Sequence, residues 1–377
     1  MAGQKGVGIY IHIPFCIRKC NYCDFCSFTG QDEKVMREYT QQICLRIKQF
    51  TSGRKIYADT VYFGGGTPTL LPSDSLSMIM DTVRDRFELD ENAEITVECN
   101  PASIDKNGLL AIRCAGINRL SIGLQSANDV ELAKLGRLHS FEDFCSTFRE
   151  AREVGFDNIS IDLMYGIPEQ TLSSFEETLE RVCALSPEHI SAYGLKIENG
   201  TPFYNDQSCL SLPDEDEEYA MYCLCEKTLK RYGYQRYEIS NFAKGGYSSK
   251  HNLHYWKLDD YIGFGVAAHS CFKGERYGNS RDLRAFLDGK NIVNERRRIP
   301  TDERICEYVM LGLRLEDGLG LDDYESLSGR PFMTDYPQVK KFIEQGFLKE
   351  KDGRISFTTK GFFVSNAILS DMLDFEE

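Results

Sequence analysis

Short apolar segments alternate with longer amphipathic segments over the first half of the chain. Apolar, β-branched runs typical of buried strands lie at residues 7–13, 59–63, 94–99, 118–124, 158–164 and 189–196. Apolar residues at helical spacing lie at residues 31–50, 73–87, 105–115, 141–154 and 171–185. Strands that alternate with helices in this order form parallel sheets with right-handed crossovers. The pattern therefore predicts an α/β fold built from β–α units.

The pattern changes after residue 200. An acidic turn leads into a helix that ends near residue 232, and polar and glycine-rich segments follow. Residues 261–270 are interpreted as a close-packed turn, residues 281–287 as a short helix and residues 296–298 as a solvated linker.

A third pattern begins at residue 301. Predicted helices at 302–315, 321–327 and 337–345 precede a hairpin around Asp352-Gly353, and a last helix is predicted at 360–373. These elements resemble a winged helix. We therefore divide the chain into residues 1–200, a connecting segment 201–300 that packs on the first domain, and a C-terminal domain 301–377.

Three cysteines directly after the first apolar segment form the most specific motif of the chain. Cys16, Cys20 and Cys23 have the spacing C-x3-C-x2-C, and Pro14 ends the strand before them because proline lacks an N–H. Closely spaced thiolates are the usual ligands of iron–sulfur clusters. Structural zinc sites favour two separated pairs, and no second pair lies nearby. The spacing favours a cluster with three protein ligands, which leaves one iron open for a substrate or cofactor.

The composition is that of a protein of the reducing cytosol and argues against nucleic acid as a partner. The chain has 377 residues, a net charge of −14 and 14 cysteines. A phosphate partner requires a basic face, whereas residues 302–377 hold 9 basic against 16 acidic residues. Free thiols fit a reducing compartment. The segment MAGQKGVG lacks the apolar core of a signal peptide, and no apolar run has the length of a transmembrane helix. We therefore expect a cytoplasmic protein.

Polar residues near the ends of predicted strands are further candidates for a binding site. The loop Gly64-Gly65-Gly66-Thr67-Pro68 permits a close approach of the backbone to a ligand, or forms a tight turn. Glu98 ends its strand at the top face, or is a solvated strand end. Asp162 is a lone charge inside an apolar strand, which requires a partner or a function. Arg137 has the fork that binds a carboxylate, or makes a surface ion pair.

A second stretch, from Lys250 to Trp256, combines two of the 6 histidines with the only tryptophan. Imidazole nitrogens and aromatic rings suit an iron porphyrin, which takes an axial nitrogen and stacking faces. A packed turn closed by Trp256 is an equally good interpretation of these residues alone. His269, in the glycine-rich segment that follows, is a second candidate for an axial ligand.

The cysteine motif and the sequence around it, YIHIPFCIRKCNYC, resemble the radical S-adenosylmethionine (SAM) superfamily. Within it, the chain is most similar to the family of oxygen-independent coproporphyrinogen III oxidase-like proteins, and there to heme chaperones of the HemW type, over nearly its whole length. The resemblance implies an open partial (β/α)6 TIM-like barrel plus a small winged-helix-like C-terminal domain. It also implies a [4Fe–4S] cluster on Cys16, Cys20 and Cys23 and a SAM molecule on the open iron, which the reduced cluster can cleave to a 5′-deoxyadenosyl radical.

The resemblance also assigns binding residues. The GGGTP loop meets the SAM amino group, and Glu98 contacts the ribose hydroxyls. The motif HNxxYW binds heme through His251, and His12 supports the cluster by packing or a hydrogen bond. The implied SAM contacts are Tyr10, Tyr22, Gly66, Thr67, Glu98, Gln125, Arg137 and Asp162, and the implied heme contacts are His251, Asn252, Tyr255 and Trp256.

Two functions are compatible with this resemblance. The first is a heme-binding chaperone that carries the cluster and SAM and transfers heme to an acceptor protein. Its expected partners are an electron donor protein and a second copy of the chain in a homodimer. The second is an enzyme, the oxidase that decarboxylates coproporphyrinogen III to protoporphyrinogen IX. HNxxYW and the absence of a long extension before Tyr10 favour the chaperone. Cys26 follows Cys23 by three residues, which departs from the CxC of the oxidases, and cleavage of SAM in turnover stays open.

Overall fold

The predicted β–α units form the centre of one 12-stranded sheet. The computed structural model describes residues 5–51, 53, 55–101 and 103–373, so the first four residues of the N-terminal segment considered above lie outside the described residues. Neighbouring strands of the centre run parallel in chain order. They are β1 (Val7–Ile13), β2 (Tyr57–Gly65), β3 (Glu88–Cys99), β4 (Arg119–Gln125), β5 (Ile159–Tyr165) and β6 (His189–Gly194). The predicted α/β fold is confirmed.

The connections between these strands carry the five predicted helices and one helix, the fourth in chain order, that was not predicted. They are α1 (Glu33–Phe50), α2 (Ser73–Arg86), α3 (Lys106–Cys114), α4 (Asp129–Lys134), α5 (Phe141–Glu153) and α6 (Leu172–Ala184). Local sequence fixes several starts. Asp32 accepts a hydrogen bond from the Val35 N–H at 2.9 Å, and Ser140 forms a capping box with Asp143. The helix boundaries therefore follow signals that are visible in the sequence.

One strand begins earlier than its sequence predicts. β3 starts at Glu88, whereas the apolar run predicts a start at residue 94. Glu88 and Leu89 pair with Tyr57 and Ala58 of β2 before a shift in register. Glu91 and Asn92, which follow, are polar and exposed, so the pairing of two backbones, rather than burial of side chains, makes the start of this segment a strand.

Six further strands extend the sheet on both sides of its centre. On the β6 side lie β7 (Gln235–Arg236) and β8 (Asn241–Ala243), and on the β1 side lie β9 (Tyr261–Phe264), β10 (His269–Phe272), β11 (Glu275–Asn279) and β12 (Val293–Arg298). β9 pairs parallel with β1, and the other added pairings are antiparallel. The helices of this region are α7 (Pro202–Asn205), α8 (Glu215–Arg231), α9 (Lys250–Trp256) and α10 (Leu283–Leu287). The sheet is thus an open one that starts at β12 and ends at β7.

Two predictions for this region were wrong. The predicted turn at 261–270 contains β9 and β10, because its glycines let the two strands approach closely: a Cβ on Gly263 would lie 2.3 Å from the His269 carbonyl oxygen. The predicted linker at 296–298 belongs to β12, whose residues are all exposed. An edge strand with charges on both faces has no apolar alternation, so its sequence does not differ from that of a linker.

The C-terminal region combines short helices with a small sheet. Its elements are α11 (Thr301–Gly312), β13 (Leu319–Gly320), α12 (Leu321–Ser328), α13 (Phe332–Asp335), α14 (Val339–Glu344), β14 (Leu348–Lys351), β15 (Arg354–Phe357), α15 (Thr359–Phe363) and α16 (Ser365–Met372). The predicted hairpin is present, and Asp352 and Gly353 at its turn have φ of 52° and 69°. The predicted last helix is interrupted at Val364. The domain boundaries stay a prediction.

The two faces of the sheet have different partners. Phe264 packs on Phe50 of α1 with ring centroids 5.8 Å apart, whereas Tyr62 stacks on His251 of α9 at 5.0 Å. Phe264 is level with Phe63 across β1, because both pair with Ile11. Successive side chains of a strand alternate between faces, so Tyr62, and with it α9, lies on the side opposite α1. We call it the inner face. Within the described part of the chain, no helix is both long and apolar enough to span a bilayer.

Candidate functional site

The cysteine motif lies on a loop at the carboxyl end of β1. The loop is closed by two backbone hydrogen bonds, from Phe28 N to Pro14 O at 2.7 Å and from Cys16 N to Phe28 O at 3.1 Å. Cys23 N donates to Cys20 O at 3.3 Å in a tight turn. All three cysteines therefore line one cavity of about 140 Å³, which we call the cysteine cavity.

Strand ends supply the opposite wall of the cysteine cavity. Its lining includes these residues predicted from the sequence: Tyr22, Gly66, Thr67, Glu98, Gln125, Arg137 and Asp162. Tyr10 does not line it. Its hydroxyl lies 3.0 Å from His12 Nδ1, and its ring stacks on Tyr62 at 6.2 Å between centroids. The structure thus brings the predicted cluster and SAM residues together, with Tyr10 beneath them.

The glycine loop touches the cysteine motif directly. A Cβ on Gly66 would lie 2.7 Å from the Phe15 carbonyl oxygen and 3.0 Å from Cys16 Sγ, so only glycine fits there. Gly65 has φ of +116°, a conformation that residues with a Cβ rarely adopt. Thr67 N donates to Phe15 O at 2.7 Å. The glycines therefore allow two loops to meet at one wall of the cavity.

Two carboxyl groups face the cavity from neighbouring parts of the sheet. Glu98 accepts hydrogen bonds from the Tyr62 hydroxyl at 2.9 Å and the Gly65 N–H at 3.0 Å. Burial raises the pKa of Glu98 from its ordinary 4.5 to about 7, against these hydrogen bonds. Burial also raises the pKa of Asp162, which accepts from Ser121 Oγ at 3.2 Å. A positively charged ligand would therefore stabilise the ionised form of both carboxyl groups.

Arg137 is held inside the cavity rather than at the surface. Its Nη2 donates to Asn100 Oδ1 at 2.9 Å and to the Gly123 carbonyl at 2.5 Å, and its Nη1 lies 3.5 Å from Cys20 Sγ. Its Nε is buried and has no hydrogen-bond partner among the described residues. The guanidinium can therefore still bind an anionic group.

Two further residues of this wall, Asn100 and Tyr193, were not predicted from the sequence. Asn100 orients Arg137 and donates to Thr67 Oγ1 at 2.8 Å, and Tyr193 donates to Gln125 Oε1 at 3.0 Å. Gln125 has φ of 74°, unusual for a residue with a side chain, where the register of β4 shifts. Asn100 directly follows a predicted strand, and this position was the available signal, whereas Tyr193 lies inside its predicted strand and had none.

The chemistry of the cysteine cavity fits an iron–sulfur cluster. Burial raises the pKa of Cys16, and it raises that of Cys23 to about 11, so both thiolates need a compensating positive charge. Within the described residues, no three His, Cys, Asp or Glu side chains converge closely enough for a single ion. The cysteines instead line the wall of a cavity, which suits a group larger than one ion.

His12 and Cys26 lie behind the cysteine loop. His12 Nε2 is 2.9 Å from the Cys26 carbonyl oxygen, and both residues are buried. Cys26 is not part of the cavity lining. His12 thus braces the loop through a hydrogen bond to its backbone.

The HNxxYW motif forms α9, which lies across the inner face towards the amino ends of the strands. His251 is 1% exposed, its Nδ1 lies 2.8 Å from Thr60 Oγ1 and its Nε2 lies 2.8 Å from the Tyr255 hydroxyl. Both ring nitrogens are therefore engaged inside the protein. His251 lines neither the cysteine cavity nor the second cavity described below, and His269 is an exposed residue of β10.

The other three residues of the motif line a second cavity. This HNxxYW cavity has a volume of about 440 Å³. Its lining comes from β8, from α9 and the loop after it, from β9–β11, and from α11 and the turn that follows it. The lining residues are Asn241, Asn252, Tyr255, Trp256, Leu258, Asp259, Tyr261, Cys271, Arg276, Leu311 and Arg314.

Two arginines of the HNxxYW cavity differ in their partners. Arg276 pairs with Glu303 at 3.1 Å and Glu307 at 2.5 Å. Arg314 donates to the Asn366 side chain at 2.8 Å, while its Nε is buried without a hydrogen-bond partner among the described residues. Burial lowers the pKa of Arg314. Arg314 is thus a cation that lacks the carboxylate partners of Arg276.

Family comparisons agree with the fold and the cysteine cavity. The family described as the radical SAM superfamily matches residues 10–182, and the HemN C-terminal domain matches residues 299–364. The solved structure of coproporphyrinogen III oxidase (HemN) from Escherichia coli, a radical SAM enzyme, has a TM-score of 0.86 and 23% identity, covering 99% of this chain and 91% of that one. This likeness shows the fold alone. The fold and the cysteine cavity define a radical SAM protein, a class whose cofactors are a [4Fe–4S] cluster and SAM.

Curated relatives narrow this class. The heme chaperone HemW of Bacillus subtilis is 35% identical over 97% of this chain and 98% of the relative. HemW of Escherichia coli is 33% identical over 96% of this chain and 97% of the relative. The chain belongs to the HemW family.

Proposed function

We propose that the protein is a heme-binding chaperone that carries a [4Fe–4S] cluster and SAM and transfers heme to an acceptor protein. The observation that carries this proposal is the full-length similarity to relatives named heme chaperones, 35% over 97% of the chain. A separate cavity at the HNxxYW motif supports it, because cargo and cofactors then need not compete for one site.

The cysteine cavity is assigned to the cofactors. Cys16, Cys20 and Cys23 would hold the cluster. Its iron without a protein ligand would bind SAM, and the reduced cluster would supply one electron. Arg137 suits the SAM carboxylate, and Glu98 suits its ribose hydroxyls. The remaining proposed SAM contacts are Tyr22, Gly66, Thr67, Gln125 and Asp162, with Tyr10 supporting them from beneath.

The HNxxYW cavity is assigned to heme. Its volume of about 440 Å³ lies in the range of small-molecule sites. Trp256, Tyr255 and Tyr261 offer aromatic surface to a flat macrocycle. Arg314, whose Nε has no hydrogen-bond partner among the described residues, offers a cation to a propionate, which carries negative charge at neutral pH. Volume, aromatic lining and charge therefore all suit a porphyrin.

Protein partners complete the proposal. Ile17, Arg18, Lys19 and Phe25 are exposed beside the cysteine cavity and give an acidic chain a local basic and apolar surface, which suits an acidic electron donor protein. No disulfide joins any of the 14 cysteines, all of which lie in the described part of the chain, and this supports a cytoplasmic location. The heme acceptor and homodimerisation stay predictions.

The alternative is an oxygen-independent coproporphyrinogen III oxidase. The fold that the chain shares with HemN is its support. Fold alone does not define function, and the full-length relatives are named heme chaperones. We therefore keep the chaperone as the conclusion.

Anaerobic titration of the reconstituted protein with heme, followed by Soret absorbance, tests the two functions. The same preparation is incubated with coproporphyrinogen III, SAM and a reductant. A saturable one-to-one heme complex and no decarboxylation are expected. Vinyl-group formation in step with SAM consumption, without a discrete heme complex, would identify an oxidase.

A further inference from the structure

The motif histidine and the cavity that we assign to heme are separated by Tyr255. His251 is almost fully buried, and its two nitrogens face Thr60 and Tyr255 at 2.8 Å each. Its ring is also stacked on Tyr62 at 5.0 Å. Turning His251 towards the cavity would break two buried hydrogen bonds and this stacking contact. An iron in the cavity therefore meets the tyrosine before it meets the histidine.

We propose that Tyr255, rather than His251, supplies the protein ligand to the heme iron, and that His251 is a positioning residue that holds the Tyr255 oxygen. This inference rests on the proposed function. Tyrosine oxygen is an established axial ligand of heme iron. Tyr255 lines the HNxxYW cavity, and one turn of α9 brings its hydroxyl onto His251 Nε2.

Ligation has a simple proton balance. The phenol O–H breaks, an Fe(III)–O bond forms, and the proton leaves to solvent through the cavity. His251 remains neutral, since its burial lowers its pKa well below the ordinary value. Its Nε2–H then donates to the phenolate oxygen, while Thr60 Oγ1–H donates to Nδ1. Iron and porphyrin keep their oxidation states in this step.

Two other cavity residues could supply a ligand atom, and both are less suited. Cys271 is 3% exposed and lies on β10 opposite Tyr261, so its thiol has little access to a ligand. Tyr261 presents its ring to Tyr255 in an edge contact, with centroids 4.7 Å apart. Tyr255 is thus the one of the three whose oxygen is held by a buried imidazole.

The experiment compares ferric heme binding by the full-length, cluster-reconstituted protein and three variants. Tyr255→Phe removes only the hydroxyl of Tyr255, and Tyr261→Phe removes the matched hydroxyl from the same cavity. His251→Gln keeps a polar group at the positioning site. Each titration is read by absorbance and by resonance Raman for an iron–phenolate vibration, with thermal unfolding and SAM binding as checks of folding.

The wild type and Tyr261→Phe should show the phenolate signature, and Tyr255→Phe should lose it while still binding SAM. His251→Gln should keep the signature, shifted, with heme affinity lowered roughly tenfold or more, as for residues that orient metal ligands. An unchanged spectrum in Tyr255→Phe, or a bis-nitrogen or histidine spectrum lost only in His251→Gln, overturns the inference and leaves the chaperone function standing. Absence of saturable heme binding by the wild type overturns both.

Discussion

The two cavities lie along the same inner face of the sheet, yet they are built in different ways. The cysteine cavity collects one loop and the carboxyl ends of successive parallel strands, each with its own short motif. The HNxxYW cavity collects one helix, an antiparallel extension of the sheet and α11 from the C-terminal region. The first is thus set by local sequence and the second by tertiary packing.

A short chain of contacts connects the two cavities. The Tyr62 hydroxyl donates to Glu98 at 2.9 Å, and the Tyr62 ring stacks on His251, which contacts Tyr255. These side chains link the cofactor site to the heme site. Each variant must therefore be tested for both SAM binding and heme binding before its effect is assigned to one site.

The largest expected effect comes from the cysteine loop. Cys16→Ala, Cys20→Ala and Cys23→Ala should each abolish the [4Fe–4S] cluster, because three thiolates are the protein ligands that the motif provides. Iron and sulfide content and anaerobic absorbance after reconstitution measure this. Heme binding should persist in all three if the two cavities are separate. Cys26→Ala, which alters a cysteine outside the cavity lining, should keep the cluster, and its loss in that variant would contradict our assignment.

Glu98→Gln should change both SAM binding and the pH dependence of stability. The pKa of Glu98 in the folded protein is about 7, above its ordinary 4.5, so the folded state binds a proton between these values that the unfolded state has released. Stability therefore falls as pH rises from about 4.5 to about 7, by up to about 3 kcal/mol. The glutamine variant should lose this slope and bind SAM more weakly. Urea unfolding of the apoprotein from pH 5 to pH 8 measures this. The same slope of unfolding free energy against pH in the wild type and the variant would contradict the prediction.

Gly66→Ala should loosen the cluster loop without changing a ligand. Its Cβ would press on the Phe15 carbonyl and Cys16 Sγ, at about 1–3 kcal/mol of destabilisation. Faster loss of the cluster under mild chelation is the expected result. Gly245→Ala is the control, since a Cβ there meets nothing within 4 Å. Equal cluster lifetimes in the two variants would show that the contact is unimportant.

Arg314→Met should have the smallest effect, and it acts at the other cavity. Loss of one partly exposed charge pair with a propionate weakens heme binding by about 1 kcal/mol, a factor of roughly five. Heme whose propionates are esterified should bind the wild type and the variant equally. A variant that loses the same affinity for both ligands would show that Arg314 acts by packing alone.

The contrast between the cavities also explains what the sequence could predict. Cys16, Gly66, Glu98 and Asp162 lie where strand-end rules and short motifs place them, so their meeting followed from the order of elements. The orientation of His251 did not follow, because it depends on Thr60 and Tyr62 from a distant strand.

Other features lacked any local signal. Arg314 lies in the turn after α11, and the sequence there gives no sign that it reaches the inner face. The early start of β3 and the edge strand β12 are polar segments that backbone pairing turns into strands. Pairing between distant segments therefore determines which polar segments become strands, and neither periodicity nor motifs reveal this in the sequence.

A structure of the cluster-reconstituted protein with heme bound would test the central claim most directly. We predict the cluster on Cys16, Cys20 and Cys23, and the porphyrin in the HNxxYW cavity with its iron beside Tyr255 and a propionate at Arg314. A porphyrin lying over the cysteine cavity, with the HNxxYW cavity empty, would contradict the separation of cofactor and cargo sites on which the account rests.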